Sequence, residues 1–482
     1  TVLQVCAEMF PLLKTGGLAD VAGALPQALR AQNVDMRVLL PGFAPILAGL
    51  QAPREVARLP ARGDVPAARL LAGRLPACDG DAYVIAAPEL YLRQGGPYAD
   101  AQQRPFVDNH LRFARLCWAA AEIANGIDPQ WTPRIVHAHD WHAGLTPTCM
   151  RELAVAAKSV FTIHNLAYQG LFPGEVFDQL GLPAACFAMD GVEFYGQVSF
   201  MKAALQMADA ITTVSPRYAR EIQTCEQGMG LDGLLRSRAN RLSGILNGVD
   251  ATVWSPAHDD AIAATYSAQD LDGKALCKAA LQAELGLQAA PERLLLTVVS
   301  RLTEQKGLPL LLANLPALIQ RGAQVAMLGS GDAELEQAFT AIAKAHPKQV
   351  AVRLGYDEPL AHRLIAGADV ILVPSLFEPC GLTQLYGLAY GTLPLVRHVG
   401  GLADTVVDCS LEALDEHRAS GFVFHDFSPE AMDAALRRAA LLYRQPAVWR
   451  QMQQTGMAQT HDWACAASCY AKLYGDLAGD SA

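Results

Sequence analysis

The sequence predicts an α/β protein that contains two doubly wound domains, each built on a parallel sheet. Two observations predict this class. Short apolar, β-branched runs alternate with stretches of helical spacing, as in parallel strands joined by crossover helices. Polar and glycine-rich segments repeatedly follow directly after such runs, at the strand ends where open α/β sheets bind ligands. A chain of 482 residues is also too long for one ordinary hydrophobic core.

Composition narrows the class of protein. Hydrophobic residues make up 51% of the chain and charged residues 18%, which is typical of a globular protein. The formal net charge of −10 argues against nucleic acid or an anionic membrane as the main partner. The 11 cysteines are scattered without CxxC spacing, which predicts reduced thiols in a cytoplasmic protein. Thr1 to Met9 reads as a strand and not as a signal peptide, and no apolar run is long enough to span a membrane.

Strand-rich segments divide the chain into two halves. We expect a first domain over residues 1–250, a hinge over 251–259 and a second domain over 260–455. The last segment, 456–482, has helical character, and we expect a C-terminal helix that returns to the first domain. Residues 51–80 are rich in Ala, Arg and Pro and read as a peripheral excursion.

The first predicted strand, Val2 to Cys6, leads into a turn that contains Lys14, Gly16 and Gly17. The glycines allow backbone to approach a ligand, and Lys14 adds positive charge. The spacing matches neither the dinucleotide fingerprint nor the phosphate-loop motif. A plain strand-to-helix turn with a solvated lysine is the alternative interpretation.

A histidine-rich segment, HAHDWHAGL from His137, follows another predicted strand. Its histidines resemble a metal cluster, and His137 and His139 would share a side of the strand, because alternate residues point to opposite faces. The cluster is still weak evidence for a metal, and we do not expect a zinc site. Asp140 comes at the strand end, where it could cap the next helix or accept a hydrogen bond from a sugar hydroxyl. The neighbouring Trp141 suits a carbohydrate, because aromatic faces pack on sugar rings.

Two further strands of the first half end in polar residues. His164 follows the predicted strand Ser159 to Ile163, and Asn247 follows Ser243 to Leu246. A single histidine is more often structural than catalytic, but His164 repeats the strand-end position of Asp140. We expect His164 and Asp140 to lie at the same edge of the sheet.

The second half contains a β-α-β-α unit that the sequence marks as an anion site. Val370–Val373 and Thr392–Val396 read as buried parallel strands, followed by helices that start near Gly381 and at Gly400–Gly401. Two helix N-termini at neighbouring strand ends would attract a negatively charged ligand, with the carboxylate of Glu378 beside it. Glu378 could also be only a helix-terminal acid favoured by the dipole.

Arg301 and Lys306 follow a predicted strand at Leu294 to Val299. With the helix N-termini they could hold a diphosphate without a metal, which suits transfer of a group from which the diphosphate departs as a stable anion. Glycoside hydrolysis needs a pair of carboxylates, and the sequence offers no obvious pair. The residues therefore predict transfer of a sugar from a nucleotide diphosphate; a solvated basic pair is the alternative.

At these residues the chain resembles the bacterial glycogen synthases and plant starch synthases, retaining glycosyltransferases of family 5. The resemblance runs through nearly the whole chain. It rests on six blocks in order: KTGGLADV from Lys14, HAHDWHAGL from His137, FTIHNLAYQG from Phe161, ILNGVD from Ile245, SRLTEQKGL from Ser300, and FEPCGLTQLYGLAYGTLPLVRHVGGLADT from Phe377. The resemblance implies the GT-B fold, in which two Rossmann-like domains face each other across a cleft.

The resemblance also implies transfer of glucose from ADP-glucose to the non-reducing end of an α-1,4-glucan such as glycogen, without a metal or other cofactor. The catalytic residues that it implies are Asp140, His164, Arg301, Lys306 and Glu378. Donor binding would fall to the following residues, with Tyr356 packing on the adenine and Thr383 near the diphosphate: Lys14, Gly16, Gly17, Asn247, Tyr356, Cys380, Gly381, Leu382 and Thr383. Trp463 belongs to the C-terminal helix that would serve domain closure.

Three positions depart from patterns of related transferases. Tyr386 stands where many of them have a second glutamate for the ribose, as expected in the synthases. Leu376 replaces a usual arginine and His398 a usual basic residue, which could weaken or alter donor binding. A UDP-sugar transferase of the same fold and a glucan-binding protein without catalysis remain the alternatives. The sequence leaves the oligomeric state open.

Overall fold

The computed structural model describes residues 1–479, except for the side chain at position 77. The chain forms two compact units. The first contains Thr1–Gly248 together with the segment from Trp463 onward, and the second contains Val249–Asp462. Each unit is an α/β structure with its own parallel sheet.

The first unit contains a nine-stranded sheet in the order β12-β11-β7-β6-β1-β2-β5-β4-β3, and a small antiparallel sheet in the order β8-β10-β9. In the large sheet only β4 runs in the opposite direction, antiparallel to both of its neighbours, β3 and β5. The strands are β1 Val2–Val5, β2 Met36–Pro41, β3 Gln51–Leu59, β4 Ala68–Leu75, β5 Gly80–Ala86, β6 Ile135–His139, β7 Lys158–Ile163, β8 Leu171–Pro173, β9 Glu193–Phe194, β10 Gln197–Ser199, β11 Ala210–Thr213 and β12 Leu242–Gly244.

Eight helices connect these strands. They are α1 Gly17–Arg30, α2 Ala44–Gly49, α3 Pro88–Tyr91, α4 Asn109–Ala124, α5 Thr146–Glu152, α6 Phe200–Met207, α7 Pro216–Glu221 and α8 Asp232–Ser237. Every residue of β1 and β6 is buried, as expected for central strands covered by helices on both faces.

The second unit has a six-stranded, wholly parallel sheet in the order β15-β14-β13-β16-β17-β18. Its strands are β13 Leu295–Val299, β14 Gln324–Gly329, β15 Val350–Leu354, β16 Val370–Val373, β17 Leu393–Arg397 and β18 Phe422–Phe424. Its helices are α9 Asp272–Leu285, α10 Leu308–Gln320, α11 Ala333–Ala345, α12 Glu358–Gly367, α13 Thr383–Ala389, α14 Gly400–Thr405, α15 Leu411–Asp415, α16 Pro429–Tyr443 and α17 Pro446–Met457.

Two of the predicted segments have a different internal structure. Residues 251–259 lie inside the second unit, where Trp254 stacks on His362 with ring centroids 3.8 Å apart. The predicted terminal helix is interrupted: α17 ends at Met457, and α18, Trp463–Ala478, packs with α1 in one apolar cluster of the first unit. The apolar side of α18 is therefore covered by the first unit's own helix.

Residues 51–80 lie at the periphery of the first unit, but the sequence analysis missed the strands that they form. They contain β3 and β4, which extend the large sheet at one edge. Most of β3 is exposed, so the alternation of apolar and polar residues that marks a half-buried strand is weak there. Among residues 1–479, no helix has both the length and the apolar character needed to cross a membrane.

Candidate active site

A buried ion pair lies at the carboxyl ends of β13 and β16 in the second unit. Lys306 Nζ donates a hydrogen bond to Glu378 Oε2 at 2.7 Å, and Ser375 Oγ donates to the same oxygen at 2.8 Å. The side chains of Lys306 and Glu378 are only 19% and 8% exposed. A paired cation held in so little water acts strongly on any charge that develops beside it.

The segments after β13 and β16 hold each other in place. Leu376 N donates to Gln305 O at 2.8 Å, and Arg301 Nη2 donates to the Gln305 side chain at 3.5 Å. Gly307 has φ +69°, and a Cβ there would lie 1.9 Å from Pro374 O. Only glycine satisfies both conditions. The structure thus pairs the predicted residues Lys306 and Glu378, and it places the predicted Arg301 against Gln305, the residue before Lys306.

A small cavity of about 20 Å³ adjoins this pair. Lys306, Ser375 and Thr383 contribute polar groups to its wall, as does Ser300. Thr383 begins α13, and Leu382 precedes it. The remaining lining residues come from β13 and β16: Val299, Leu372 and Val373. The predicted donor-binding Thr383 therefore lies beside the predicted cation Lys306.

The loop from Glu378 to Gly381 is fixed from two sides. Gln384 is buried, and its Nε2 donates to the carbonyls of Cys380 at 3.1 Å and Gly381 at 2.7 Å. Gly401 N donates to Glu378 O at 3.1 Å. This N–H group of α14 is therefore not available to an anion, because a backbone carbonyl already accepts from it. The second anion-binding helix N-terminus stays a prediction. The same hydrogen bond supports the loop that carries Glu378.

Tyr356 stands apart from the ion pair. It follows the edge strand β15, which β14 separates from β13, and it is 72% exposed. Its hydroxyl bonds to the Glu358 carboxylate. The exposed ring is compatible with stacking on a planar ligand, as the resemblance implies.

Asp140 follows β6 in the first unit and combines burial with an unusual backbone conformation. It is 6% exposed and has φ 61° and ψ 179°, a region that glycine occupies almost alone. Its carboxylate accepts from Trp141 N at 2.9 Å. Burial raises the pKa of Asp140 to about 8, and the negative charge of Glu8 acts in the same direction. Such strain and such a pKa are typical of functional positions.

The neighbouring histidines bond to each other and to hydroxyl groups. His139 Nδ1 lies 3.0 Å from His164 Nε2, and His137 contacts Tyr474 OH at 2.7 Å. Burial lowers the pKa values of His137, His142 and His164 to about 3, so these rings are neutral at pH 7. Within residues 1–479 no group of three or more His, Cys, Asp or Glu side chains is arranged to hold a metal ion.

Lys14 is paired with a residue that the sequence analysis missed. Its Nζ donates to Asp20 Oδ1 at 2.9 Å, six residues further along the same KTGGLADV block. The buried Glu8 carboxylate accepts from Thr15 N and Thr15 Oγ1, each at 2.6 Å, and from Tyr98 OH. No sequence pattern signalled Glu8, because it lies in the irregular loop between β1 and α1 and its partners are Thr15 of that loop and the distant Tyr98.

Gly16 and Gly17 complete this turn. Gly16 is extended and exposed, and open space surrounds the position of an added Cβ. Gly17 begins α1. The turn therefore leaves room for a ligand next to backbone.

Asn247 follows β12 and is buried. Its Oδ1 atom has no hydrogen-bond partner among the described residues. A buried acceptor of this kind costs about 1–3 kcal/mol unless a ligand or water satisfies it. This observation fits the ligand-binding role that the resemblance implies.

The three unusual positions of the second unit have packing explanations. Tyr386 is buried and stacks on Trp254 with centroids 3.8 Å apart, so an aromatic sandwich fills the place of a second glutamate. Arg397 Nη1 donates to Leu376 O at 2.6 Å, which places a cation beside Leu376 that the sequence analysis missed. The His398 ring packs against His425 at 4.5 Å.

Known proteins share both the sequence and the fold. A model of the starch synthase catalytic domain matches residues 1–237, and a model of group 1 glycosyl transferases matches residues 286–454. A glycogen synthase of Leptothrix cholodnii is 63% identical over 485 residues, which cover 99% of each chain. A glycogen synthase of Variovorax paradoxus is 57% identical over 485 residues and 98% of each chain.

Solved structures agree with these matches. The catalytic domain of starch synthase IV from Arabidopsis thaliana, bound to ADP and acarbose, has a TM-score of 0.88 at 29% identity, over 99% of both chains. A sucrose-phosphate synthase from Thermosynechococcus elongatus matches at a TM-score of 0.58 and 18% identity, over 100% of this chain and 99% of its own, and shows the fold alone. The predicted GT-B fold is confirmed, and the chain belongs to the glycogen synthase family of glycosyltransferases.

Proposed function

We propose that this chain transfers glucose from ADP-glucose to the non-reducing end of an α-1,4-glucan, with retained configuration and release of ADP. The observation that carries the proposal is the buried pair of Lys306 and Glu378, 2.7 Å apart beside a helix start. A cation fixed there would stabilise the negative charge that develops on a departing diphosphate. The similar starch synthase IV structure is bound to ADP and acarbose, which supports a donor built on ADP.

The second unit would hold the donor's nucleotide and diphosphate. Lys306 and Arg301 would stabilise the leaving group, and Tyr356 would pack on the adenine. Glu378 would accept from a hydroxyl of the donor glucose. Thr383 and the backbone amides of the preceding residues would hold the phosphates: Cys380, Gly381 and Leu382.

The first unit would supply groups for the sugars. Asp140 and the unsatisfied Asn247 Oδ1 would bind hydroxyls, and His164 would lie near the reacting carbon. Lys14 and the open turn at Gly16–Gly17 would lie on the phosphate and acceptor side.

We propose a front-face substitution. The bond from the anomeric carbon to the diphosphate oxygen breaks, and a bond to the acceptor hydroxyl oxygen forms on the same face. The proton of that hydroxyl passes to the leaving phosphate oxygen. The step needs no carboxylate nucleophile and no metal, because fixed cations and backbone amides meet the developing charge.

The test is release of nucleoside diphosphate from purified protein with glycogen, in EDTA, comparing ADP-glucose with UDP-glucose. Rapid release from ADP-glucose alone would support the reaction, the donor and metal independence together. Preference for UDP-glucose would overturn the donor assignment. Glycogen binding without release from either donor would favour a binding protein that lacks catalysis.

A further inference from the structure

Two histidines of the first unit share one hydrogen bond. His139 is the last residue of β6 and is fully buried, and His164 follows β7, the strand that pairs with β6. His139 Nδ1 and His164 Nε2 are 3.0 Å apart. Burial lowers the pKa of both rings, so both are neutral at pH 7. One proton therefore lies between them, and one of the two rings donates it.

The surroundings of His139 decide which ring donates. A neutral imidazole carries a single N–H group, so if His139 accepted at Nδ1, its proton would be on Nε2. His139 Nε2 is buried and has no hydrogen-bond partner among residues 1–479. A buried N–H group without an acceptor is rarer in proteins than an unused lone pair. His139 therefore carries its proton on Nδ1 and donates it.

We propose that His139 is a positioning residue that keeps the proton of His164 on Nδ1 and thereby makes His164 a hydrogen-bond donor to an oxygen of the transferred sugar. Since His164 Nε2 accepts, its own proton must be on Nδ1. His164 is only half-buried, and its one hydrogen bond to residues 1–479 is made through Nε2, so a ligand can take the hydrogen bond of Nδ1. The sugar as ligand rests on the proposed function; the tautomer does not.

A second contact holds the His139 ring in its orientation. His137, two residues earlier in β6, packs against it with ring centroids 4.0 Å apart. His137 is itself fixed at both nitrogens, by Tyr474 OH at 2.7 Å and Thr162 Oγ1 at 2.6 Å. The donor to His164 is thus built into the sheet, and an orientation fixed before the ligand binds costs nothing at the moment of reaction.

The first test is the tautomer itself in full-length protein without substrate. Long-range ¹H–¹⁵N spectra of protein labelled at histidine report which ring nitrogen carries the proton, and the signals of His164 are assigned by their loss in His164→Asn. We expect Nδ1–H for both His139 and His164. An Nε2–H tautomer at His164 in the wild-type protein would overturn the proposal, whatever the enzymatic activity.

Variants at position 139 supply the second test. His139→Leu removes the donor, and we expect His164 to shift toward Nε2–H, the commoner form of a free imidazole, with kcat about tenfold lower and glucan KM little changed. His139→Asn places an amide nitrogen where Nδ1 stood, and it should restore Nδ1–H and most of the activity. His110→Asn, at another buried histidine of this unit, is the matched control.

The outcomes separate this inference from the proposed function. Leu and Asn variants with equal kcat and an unchanged His164 tautomer would overturn the positioning role. The expected tautomers in a protein that transfers no glucose would support the positioning and would contradict only the proposed function. If the Leu variant does not fold, the wild-type spectrum and the Asn variant decide.

Discussion

At the scale of single residues, Asp140 bears two costs at once. Its backbone conformation, φ 61° and ψ 179°, costs a non-glycine residue about 1–3 kcal/mol. Its carboxyl group is buried, and one N–H donor, Trp141 N, is 2.9 Å from it. Neither cost contributes to folding, so the residue is best explained by a role with a ligand.

Replacing Asp140 should separate strain from function. We expect both Asp140→Gly and Asp140→Ala to abolish glucose transfer. The free energy of unfolding of the Gly variant should be about 1 kcal/mol higher than that of the Ala variant, because glycine adopts this backbone conformation without strain. Urea unfolding measures the difference. Equal stability of the two variants would show that the backbone at this position is not strained.

Lys306 offers a second test at this scale. We expect Lys306→Ala to raise the reaction barrier by about 2–4 kcal/mol while glycogen affinity changes little, because the charge it meets develops on the leaving group. Arg301→Ala should act in the same direction. Steady-state kinetics with ADP-glucose checks this, with the exposed helical Lys344→Ala of the same unit as control. An unchanged kcat in both site variants would rule out their role as a clamp for the diphosphate.

At the scale of elements, the start of α14 supports the loop that carries Glu378. A Cβ at Gly401 would lie 2.0 Å from Cys380 O, whereas φ at Gly401 is not positive. The requirement for glycine at this position is therefore a close approach of helix to loop, and not a special backbone conformation.

Gly401→Ala should consequently displace the loop, lower kcat and lower stability by more than 1 kcal/mol. Gly233→Ala is a matched control, since it too lies in a helix but only the end of the Arg236 side chain comes near, at 3.9 Å. The control should be neutral or stabilising by about 0.5–1 kcal/mol. Kinetics and thermal unfolding of both variants check this, and similar behaviour of the two would contradict the close approach.

At the scale of the whole molecule, the chain passes between its two units twice, after Gly248 and after Asp462. The two connecting segments are adjacent where they join the second unit, because Val249 N donates a hydrogen bond to His461 O at 2.6 Å. The hinge predicted over residues 251–259 stays a prediction, and those residues belong to the second unit.

Buried histidines should make the protein sensitive to acid. His137, His142 and His164 have pKa values of about 3 in the folded state against 6.5 for an ordinary histidine. The unfolded chain therefore binds more protons between these values, and stability present above pH 6.5 is lost as the pH falls toward 3. Each ring contributes up to about 1.4 kcal/mol per pH unit.

Asp140 has the opposite effect on the pH dependence of stability, because its folded-state pKa of about 8 exceeds the ordinary 3.8. Its contribution to the free energy of unfolding is lost as the pH rises from 4 to 8. Three rings outweigh one carboxyl group below pH 6.5. Urea midpoints from pH 4 to 6 should rise with pH, less steeply in His142→Asn and more steeply in Asp140→Asn. A midpoint independent of pH would contradict the neutral, buried state of the rings.

The sequence by itself determined the fold class, the strand ends that carry polar groups, and the family. Local patterns suffice for these, because apolar periodicity defines each element and parallel strands place their carboxyl ends at a common edge. Lys306 and Glu378, 72 residues apart, could be predicted as neighbours on that basis alone.

Only the tertiary structure decided the contacts that lie outside such patterns. Lys14 forms an ion pair with Asp20, and Arg397 donates a hydrogen bond to the carbonyl of Leu376. The Gly401 N–H group of α14 donates to the carbonyl of Glu378. The tertiary structure also joined His139 to His164. These contacts depend on how loops and neighbouring strands pack, and side-chain spacing within one element carries no information about a partner in another.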